Sequence, residues 1–463
     1  MQVSNPRKTT LQIGLAAALF SMTAGSAFAT NGYFAHGYGT KARGMGGAST
    51  ALAQDGFAGA NNPAAAAFAG NRWDAGADLF SPDRSASRTG GAGPMGPYFA
   101  GSATSKEKHF VVPEFGYNLA LSDRMGLGLT VYGNGGMNTT YKTPGGCVHP
   151  TYGQMNLLCG NPGHLGVDLM QLIVAPTLAY KLDSAHSIGI SPLFVYQRFE
   201  AKGLQAFQGT FADLNPMAPP VNISSDPMNM TDRGYDSSTG FGVRLGFMGK
   251  PTQNLTVGLS YAPKINMTEF DSYAGLFAGK GDFDIPANAS IGLALQATPD
   301  VLVALDYQRI EYGGVPSIAN ASGRVAAPLM ALMQGATDVS ALQMGGAEGG
   351  GFGWKDISVI KLGVQWQMSA KTTLRAGFNK GQNPIRGEDV TVNILAPGVM
   401  TKHYTLGATY QLSKTSELSW SLMIAPEVKV TAPSLFEGFG FPAGTDTIRM
   451  KQNSAGLQYS SRF

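Results

Sequence analysis

Apolar residues alternate with small or polar ones at a period of two along most of the chain. Leu255, Val257, Leu259 and Tyr261 alternate with Thr256, Gly258 and Ser260. Phe241, Val243, Leu245 and Phe247 form a second row, and Tyr404, Leu406, Ala408, Tyr410 and Leu412 a third. Leu418, Trp420, Leu422 and Ile424 form a fourth. Side chains on a strand point alternately to its two faces, so each row predicts a strand with one apolar face. The pattern predicts strands over 74–84, 108–121, 125–136, 168–182, 185–200, 239–250, 253–266, 288–298, 300–312, 356–369, 371–380, 400–413, 415–432 and 449–463. That is about fourteen, an even number, as in bacterial single-chain barrels.

The connections carry separate information. Tight turns such as Ser122-Asp123-Arg124, Asp183-Ser184-Ala185, Thr298-Pro299-Asp300 and Ser413-Lys414-Thr415 alternate with long stretches. The long ones are 85–107, 137–167, 201–238, 267–287, 313–355, 381–399 and 433–448, the first to seventh long loops. A soluble sandwich or propeller shares the even strand spacing but not the strict short–long rhythm. Short periplasmic turns and long external loops are the rule for an all-β, antiparallel transmembrane β-barrel.

Composition agrees with strands that are apolar on one face only. Charged residues are 14% of the chain, against about 25% in average globular proteins. A net charge of +3 gives no footprint for nucleic acid. Arg7 and Lys8, the apolar run Leu11 to Phe20 and Ala27-Phe28-Ala29 predict a cleaved secretory signal over 1–29. No later run approaches the roughly 18 apolar residues of a spanning helix. Cys147 and Cys159, close together in an exported chain, predict a disulfide. The six histidines are scattered, and neither H-E-x-x-H nor G-x-S-x-G occurs. Asp282 with Asp284, and Asp226, Asp232 and Asp236, lack the spacing of an EF-hand. The expectation is a protein that is not an enzyme and uses no cofactor and no metal.

Residues 30–73 precede the first strand. They are too polar to span a membrane and too long for a simple tail. A barrel of about fourteen strands has a lumen too wide for its own side chains to fill. A segment of small residues with many backbone polar groups suits a plug in that lumen. N-G-Y-F at 31–34, A-R-G-M-G-G-A at 42–48 with Gly44, Gly46 and Gly47, then Asp55, Asn62-Pro63-Ala64 and G-N-R-W-D-A-G-A-D-L-F-S-P at 70–82 are distinctive. Together they resemble the N-terminal hatch and first strand of the FadL family, outer-membrane transporters of long-chain fatty acids and related hydrophobic compounds. The terminal Phe463 resembles the signal read by the barrel assembly machinery. The resemblance implies a 30–73 hatch inside a 74–463 barrel, in contact with outer-membrane lipid and lipopolysaccharide and working as a monomer.

It also implies a route. External loops catch the solute, a lumenal site binds it, the hatch shifts, and the solute leaves sideways at a kink in the third strand. Long-chain fatty acids are the first substrate class implied, with aromatic hydrocarbons or alkanes as the alternative. A general porin and a barrel enzyme are the remaining alternatives. Apolar residues of the third and fourth long loops are the candidate groove: Leu204, Phe207, Phe211, Leu214, Met217 and Met228, then Phe270, Tyr273, Leu276, Phe277 and Phe283. Gly133, Gly135 and Gly136 mark the candidate kink, because glycine within a strand often marks a bulge. Strand phase aims Arg244, Lys264, Lys361 and Arg375 at the lumen as candidate carboxylate partners. The same cations could instead form structural pairs with Asp306 or Asp55.

Overall fold

The computed structural model of the protein describes residues 31–92, 98–142, 145–149, 153–214 and 217–463. The expected signal segment lies outside the described residues. The strands are β1 (Arg72–Ala92), β2 (Tyr98–Thr104), β3 (Phe110–Ala120), β4 (Met125–Asn138), β5 (Cys147–His149), β6 (Gly153–Met155), β7 (Gly166–Lys181), β8 (His186–Lys202) and β9 (Asp236–Gly249). They continue as β10 (Leu255–Ala262), β11 (Asn288–Thr298), β12 (Val301–Ile310), β13 (Ile357–Gln367), β14 (Thr372–Gly381), β15 (Lys402–Gln411), β16 (Ser416–Pro433) and β17 (Thr445–Arg462). Successive wall strands pair antiparallel, and β17 returns to β1 along a ladder from Arg72–Arg462 to Thr89–Thr445. Of the 15 strands in this sheet, β2 only extends β1 as a hairpin, so a closed wall of 14 remains. Closure pairs the wall strands all the way round, as a bilayer requires, except where the β3–β4 ladder stops short.

The wall is inside-out relative to a soluble protein. Leu406 is 56% exposed, whereas its neighbour Thr405 is 3% exposed. Likewise Leu305, Leu362, Leu422 and Leu457 stand exposed, and Asp306, Ser419, Ser421 and Gln458 are buried. The bare apolar face is the lipid face, and the buried polar face is the lumen. Aromatic side chains gather at the short-turn end: Trp73 lies 5.4 Å from Tyr459, and Phe463 lies 5.9 Å from Tyr117. These positions match the girdle such barrels place at an interface. Among the described residues no helix is long and apolar enough to cross a membrane.

Several strand ends differ from the sequence expectation by a few residues, the hairpin β5–β6 adds two short strands to the second long loop, and two further departures are informative. β1 runs on to Ala92 and carries the extra strand β2 above the wall. β10 stops at Ala262, short of the expected 266, because Pro263 cannot donate to the ladder.

Residues 31–71 occupy the lumen. The helix Thr40–Gly44 packs on β14 to β17, and the 3₁₀ turn Pro63–Ala67 packs on β4, β7, β8 and β9. Asn62-Pro63-Ala64 forms a seat for this turn. The Asn62 Oδ1 accepts from the Ala64 N–H at 3.1 Å, capping it, and Pro63 supplies its first residue. Asn62 Nδ2 donates to the Thr50 and Phe247 carbonyls at 2.8 and 2.9 Å. A Cβ on Gly246 of the wall would lie 2.1 Å from Asn62 Oδ1. Gly46, at φ +67, presses on the Phe378 backbone, where a Cβ would stand 2.8 Å from the Phe378 nitrogen. Small residues on both sides let hatch backbone lie directly on barrel backbone.

Candidate functional site

The lower hatch is fixed by buried ions. Lys41 Nζ lies 2.5 Å from Glu417, Arg72 Nη2 lies 3.0 Å from the same carboxylate, and Arg43 Nη2 lies 2.5 Å from Glu114. Asp55 accepts from the Phe57 N–H at 3.0 Å and from Gln458 at 3.3 Å. Asp306 accepts from the Ser49 and Thr50 N–H groups and from the Thr50 hydroxyl at 2.7 to 2.9 Å. Gly44 meets the wall at Gly407, whose Cα would lie 3.1 Å from an added Cβ, and Gly47 adopts φ +85 against the His36 carbonyl.

The hatch tip, residues 31–36, is held differently. The β4–β7 register shifts between Gly133 and Gly135, which is a bulge. There the Ala35 N–H donates to Asn134 O at 3.1 Å, and the Gly136 N–H donates to Tyr33 O at 3.3 Å. The kinked strand therefore pairs inward with the hatch. Its outer partner is lost at the same level: β3 and β4 pair from Ala120–Gly126 to Phe115–Val131 and no further. Beside the unpaired stretch lies a cavity of about 610 Å³, lined by Phe110, Val111, Asn138, Thr139, Lys142, His164, Asp168 and Lys202 among others. Sequence placed the glycines, and the structure adds the missing ladder next to them.

Above the hatch the long loops close into a cap. A cavity of about 40 Å³ lies within it, lined by Leu158, Val167, Phe199, Leu204, Phe207, Leu276, Phe277, Val325, Phe352, Val392, Leu395 and Leu435, with Ser317, Ser322, Met344 and two glycines. None of these side chains is charged. A run of rings leads down from it. Phe199 lies 4.7 Å from Phe277, Phe277 lies 4.9 Å from Phe283, and Phe283 lies 6.3 Å from Tyr33. Tyr33 then meets Tyr312 at 5.5 Å and Trp354 at 6.0 Å. A space of about 10 Å³ between Phe80, Met137, Met450 and Trp354 continues toward the β3–β4 gap.

Leu204, Phe207, Phe211, Phe270, Tyr273, Leu276, Phe277 and Phe283 are all buried in this cap rather than open as a groove. Met217 and Met228 face solvent. The side chain of Leu214 lies outside the described ones. The fifth, sixth and seventh loops contribute more of the lining than the third and fourth. Val325, Trp354, Val392, Leu395 and Leu435 carried no strand period, so only their apolar character in otherwise small-residue loops marked them. Cys147 and Cys159 are joined as a disulfide, which holds the loop bearing Leu157 and Leu158 against the Arg88–Asp446 pair.

The four candidate cations divide. Arg244, Lys361 and Arg375 are buried on the lumenal face. Arg244 donates to the Ala60 carbonyl and to the Tyr132 hydroxyl, the latter at 3.3 Å. Lys361 donates to the His36 carbonyl at 3.0 Å. Arg375 donates to Gln365 and Thr409 at 2.9 and 2.7 Å. Lys264 corrects the sequence expectation: beyond the end of β10 it leaves the lumenal phase and pairs with Asp284 at 2.5 Å. None of the four lines the loop cavity. Among the described residues no group of three or more His, Cys, Asp or Glu is placed to hold a metal.

Comparison with known proteins agrees with this architecture. The Pseudomonas putida toluene transporter TodX is 22% identical, with a TM-score of 0.62 over 92% of this chain and 99% of that one. A Pseudomonas aeruginosa FadL homologue is 17% identical, with a TM-score of 0.63 over 93% and 100%. The Ralstonia pickettii toluene transporter TbuX is 19% identical, with a TM-score of 0.59 over 92% and 99%. No curated protein sequence matches significantly. Residues 16–463 match the family described as outer membrane protein transport protein, OMPP1/FadL/TodX. A closed barrel with its lumen filled by its own N-terminus, and a family match over nearly its whole length, make this chain a member of the FadL/TodX family of outer-membrane transporters of hydrophobic compounds.

Proposed function

We propose that the protein is a passive channel for small neutral hydrophobic compounds, such as aromatic hydrocarbons. The observation that carries this reading is the uncharged cavity in the loop cap, continued by aromatic rings to the hatch tip and the β3–β4 gap. A solute bound in the cap slides along the rings to Tyr33 and Trp354. Displacement of the tip from β4 then opens the way sideways into the bilayer. The cavity of about 40 Å³ is smaller than the roughly 150 Å³ that holds benzene in an engineered protein core. Loop side chains must therefore part when a solute enters.

Long-chain fatty acids are the second reading. Lys142 and His164 around the larger space at the gap support it, since a carboxylate needs cations, whereas Lys202 there is paired with Glu200 at 2.9 Å. The same reading takes the barrel as a monomer whose Phe463 addresses it to the assembly machinery. Uptake of labelled toluene and labelled oleate, in cells lacking their own transporter, separates the two. Toluene accumulates above the empty-vector level under the first reading and oleate under the second. If neither does, the transport reading fails.

A further inference from the structure

The buried state of the third- and fourth-loop residues leaves open what a solute meets first. Among the described residues of the long loops, every large apolar side chain left exposed, apart from Tyr235, is a methionine: Met217, Met228, Met330 and Met333. Two of these share the short helix Ala327–Met333 of the fifth long loop, three residues apart and therefore on one face. Met330 is 59% exposed and Met333 is 80% exposed. The segment Ala326–Gln334 contains no charged residue.

This helix has a second face. The turn leading into it, Ser322–Ala326, places Ser322 and Val325 in the lining of the loop cavity. Leu329 packs against the same buried cluster. The Ser322 N–H donates to Asp389 Oδ1 at 2.6 Å, which ties the turn to the sixth loop. Gly335, at φ +91, ends the helix in the left-handed conformation. One element thus roofs the cavity with its inner side and presents bare thioethers with its outer side. Thioether side chains are flexible and polarizable, and they suit surfaces that receive apolar ligands of varied shape.

We propose that the helix Ala327–Met333 is the outer docking site for the neutral hydrophobic solute, which contacts Met330 and Met333 before passing under Val325 into the cavity. The proposal rests on the channel reading above. The uncharged helix face and its continuity with the cavity roof select an apolar solute as the occupant.

The test compares wild type, Met330→Gln/Met333→Gln and Met330→Leu/Met333→Leu, all checked for a folded barrel by heat-modifiable electrophoretic mobility. At low toluene, the initial uptake rate of the glutamine variant falls by about tenfold, the equivalent of about 1.4 kcal/mol of lost apolar contact. The rate at saturating toluene changes little, and the leucine variant follows wild type. An unchanged rate at low toluene overturns the docking site, including the case in which this face contacts lipopolysaccharide or a second copy instead. Val325→Trp, which fills the cavity, separates this from failure of the channel reading. If Val325→Trp stops uptake while the glutamine variant does not, the docking site alone is wrong. If wild type itself does not accumulate toluene, both are wrong. A direct readout uses ¹³C-methyl methionine protein in nanodiscs. Toluene shifts the Met330 and Met333 methyl signals and leaves that of buried Met423 in place, and the converse result also overturns the proposal.

Discussion

The lower and upper halves of the lumen are filled by different physics. Below, the hatch from Thr40 to Asn71 meets the wall through Lys41 and Arg43 against Glu417, Glu114 and Asp78, beside the wall's own Arg72 paired with Glu417 and Asp74. Above, the hatch tip and the loop cap meet through rings and aliphatic side chains, with Arg88–Asp446 as a fully buried ion pair at the top of β1 and β17. Ion pairs have steep geometry, and losing one partner strands the other in a medium of low dielectric. Apolar contacts have no preferred direction, so one set can be exchanged for another, including a solute. The lower half is thus built as a seal, and the upper half as a surface that yields.

The largest effect should come from breaking the seal. Glu417 serves Lys41, Arg72 and Arg462 at once, at 2.5, 3.0 and 3.2 Å. Glu417→Gln leaves buried Lys41 without its carboxylate while Arg72 keeps Asp74, a loss of about 3–5 kcal/mol. Planar-bilayer recordings should show steady ion conductance for this variant and near silence for wild type. Silence in both would mean that the ion pairs do not hold the hatch in place.

The next effect belongs to the upper half. A Cβ on Gly135 would fall 1.9 Å from the Tyr33 carbonyl oxygen. Gly135→Leu therefore puts a branched side chain into the space between the hatch tip and the kinked strand, blocking the exit there without touching the ion pairs. Solute uptake should fall by about tenfold, the effect of about 1.4 kcal/mol on a barrier. Conductance and barrel mobility on gels should stay as in wild type. A conductance rise equal to that of Glu417→Gln would erase the distinction between the two halves.

The sequence exposed these two halves unequally. The wall was legible because each strand must show lipid one face and the lumen the other, and this writes a period of two that needs no tertiary information. The hatch was legible through Asn62-Pro63-Ala64 and its small residues, since backbone lying on backbone tolerates little else. The cap was legible only as apolar residues of the third and fourth loops, not as the contacts that join it. Phe199, Phe277, Tyr312 and Trp354 come from four separate stretches of chain, and no local period marks a contact made across loops. Lys264 misled for a related reason: strand phase holds only while the strand lasts, and Pro263 ends it. The missing β3–β4 ladder is a fact about two strands, so neither strand's residues alone could announce it.

The smallest effect lies in the fourth loop and depends on pH. Asp282 and Asp284 flank Phe283, the ring that links the cap to Tyr33. The Asp282 carbonyl accepts from the Ser317 hydroxyl, while Asp284 pairs with Lys264. Burial, and then the neighbouring Asp284 charge, push the Asp282 carboxyl up to about 7, with Lys264 opposing and Glu269 adding to the rise. In an opened loop the group returns to the ordinary carboxylate range near 4. A pKa raised by folding means that the closed loop holds the proton more tightly than the open one. The closed form is therefore favoured most below about pH 4, and that advantage is lost as pH rises through about 7. Hydrogen exchange over residues 277–287, corrected for intrinsic rates, should show easier opening at pH 8.5 than at pH 5.5 (about one and a half units to either side of that midpoint). Asp282→Asn should remove the difference, because its amide carries no proton to lose. Equal opening of wild type at both pH values would show that this carboxyl does not govern the loop, and the yielding of the upper half would then rest on apolar packing alone.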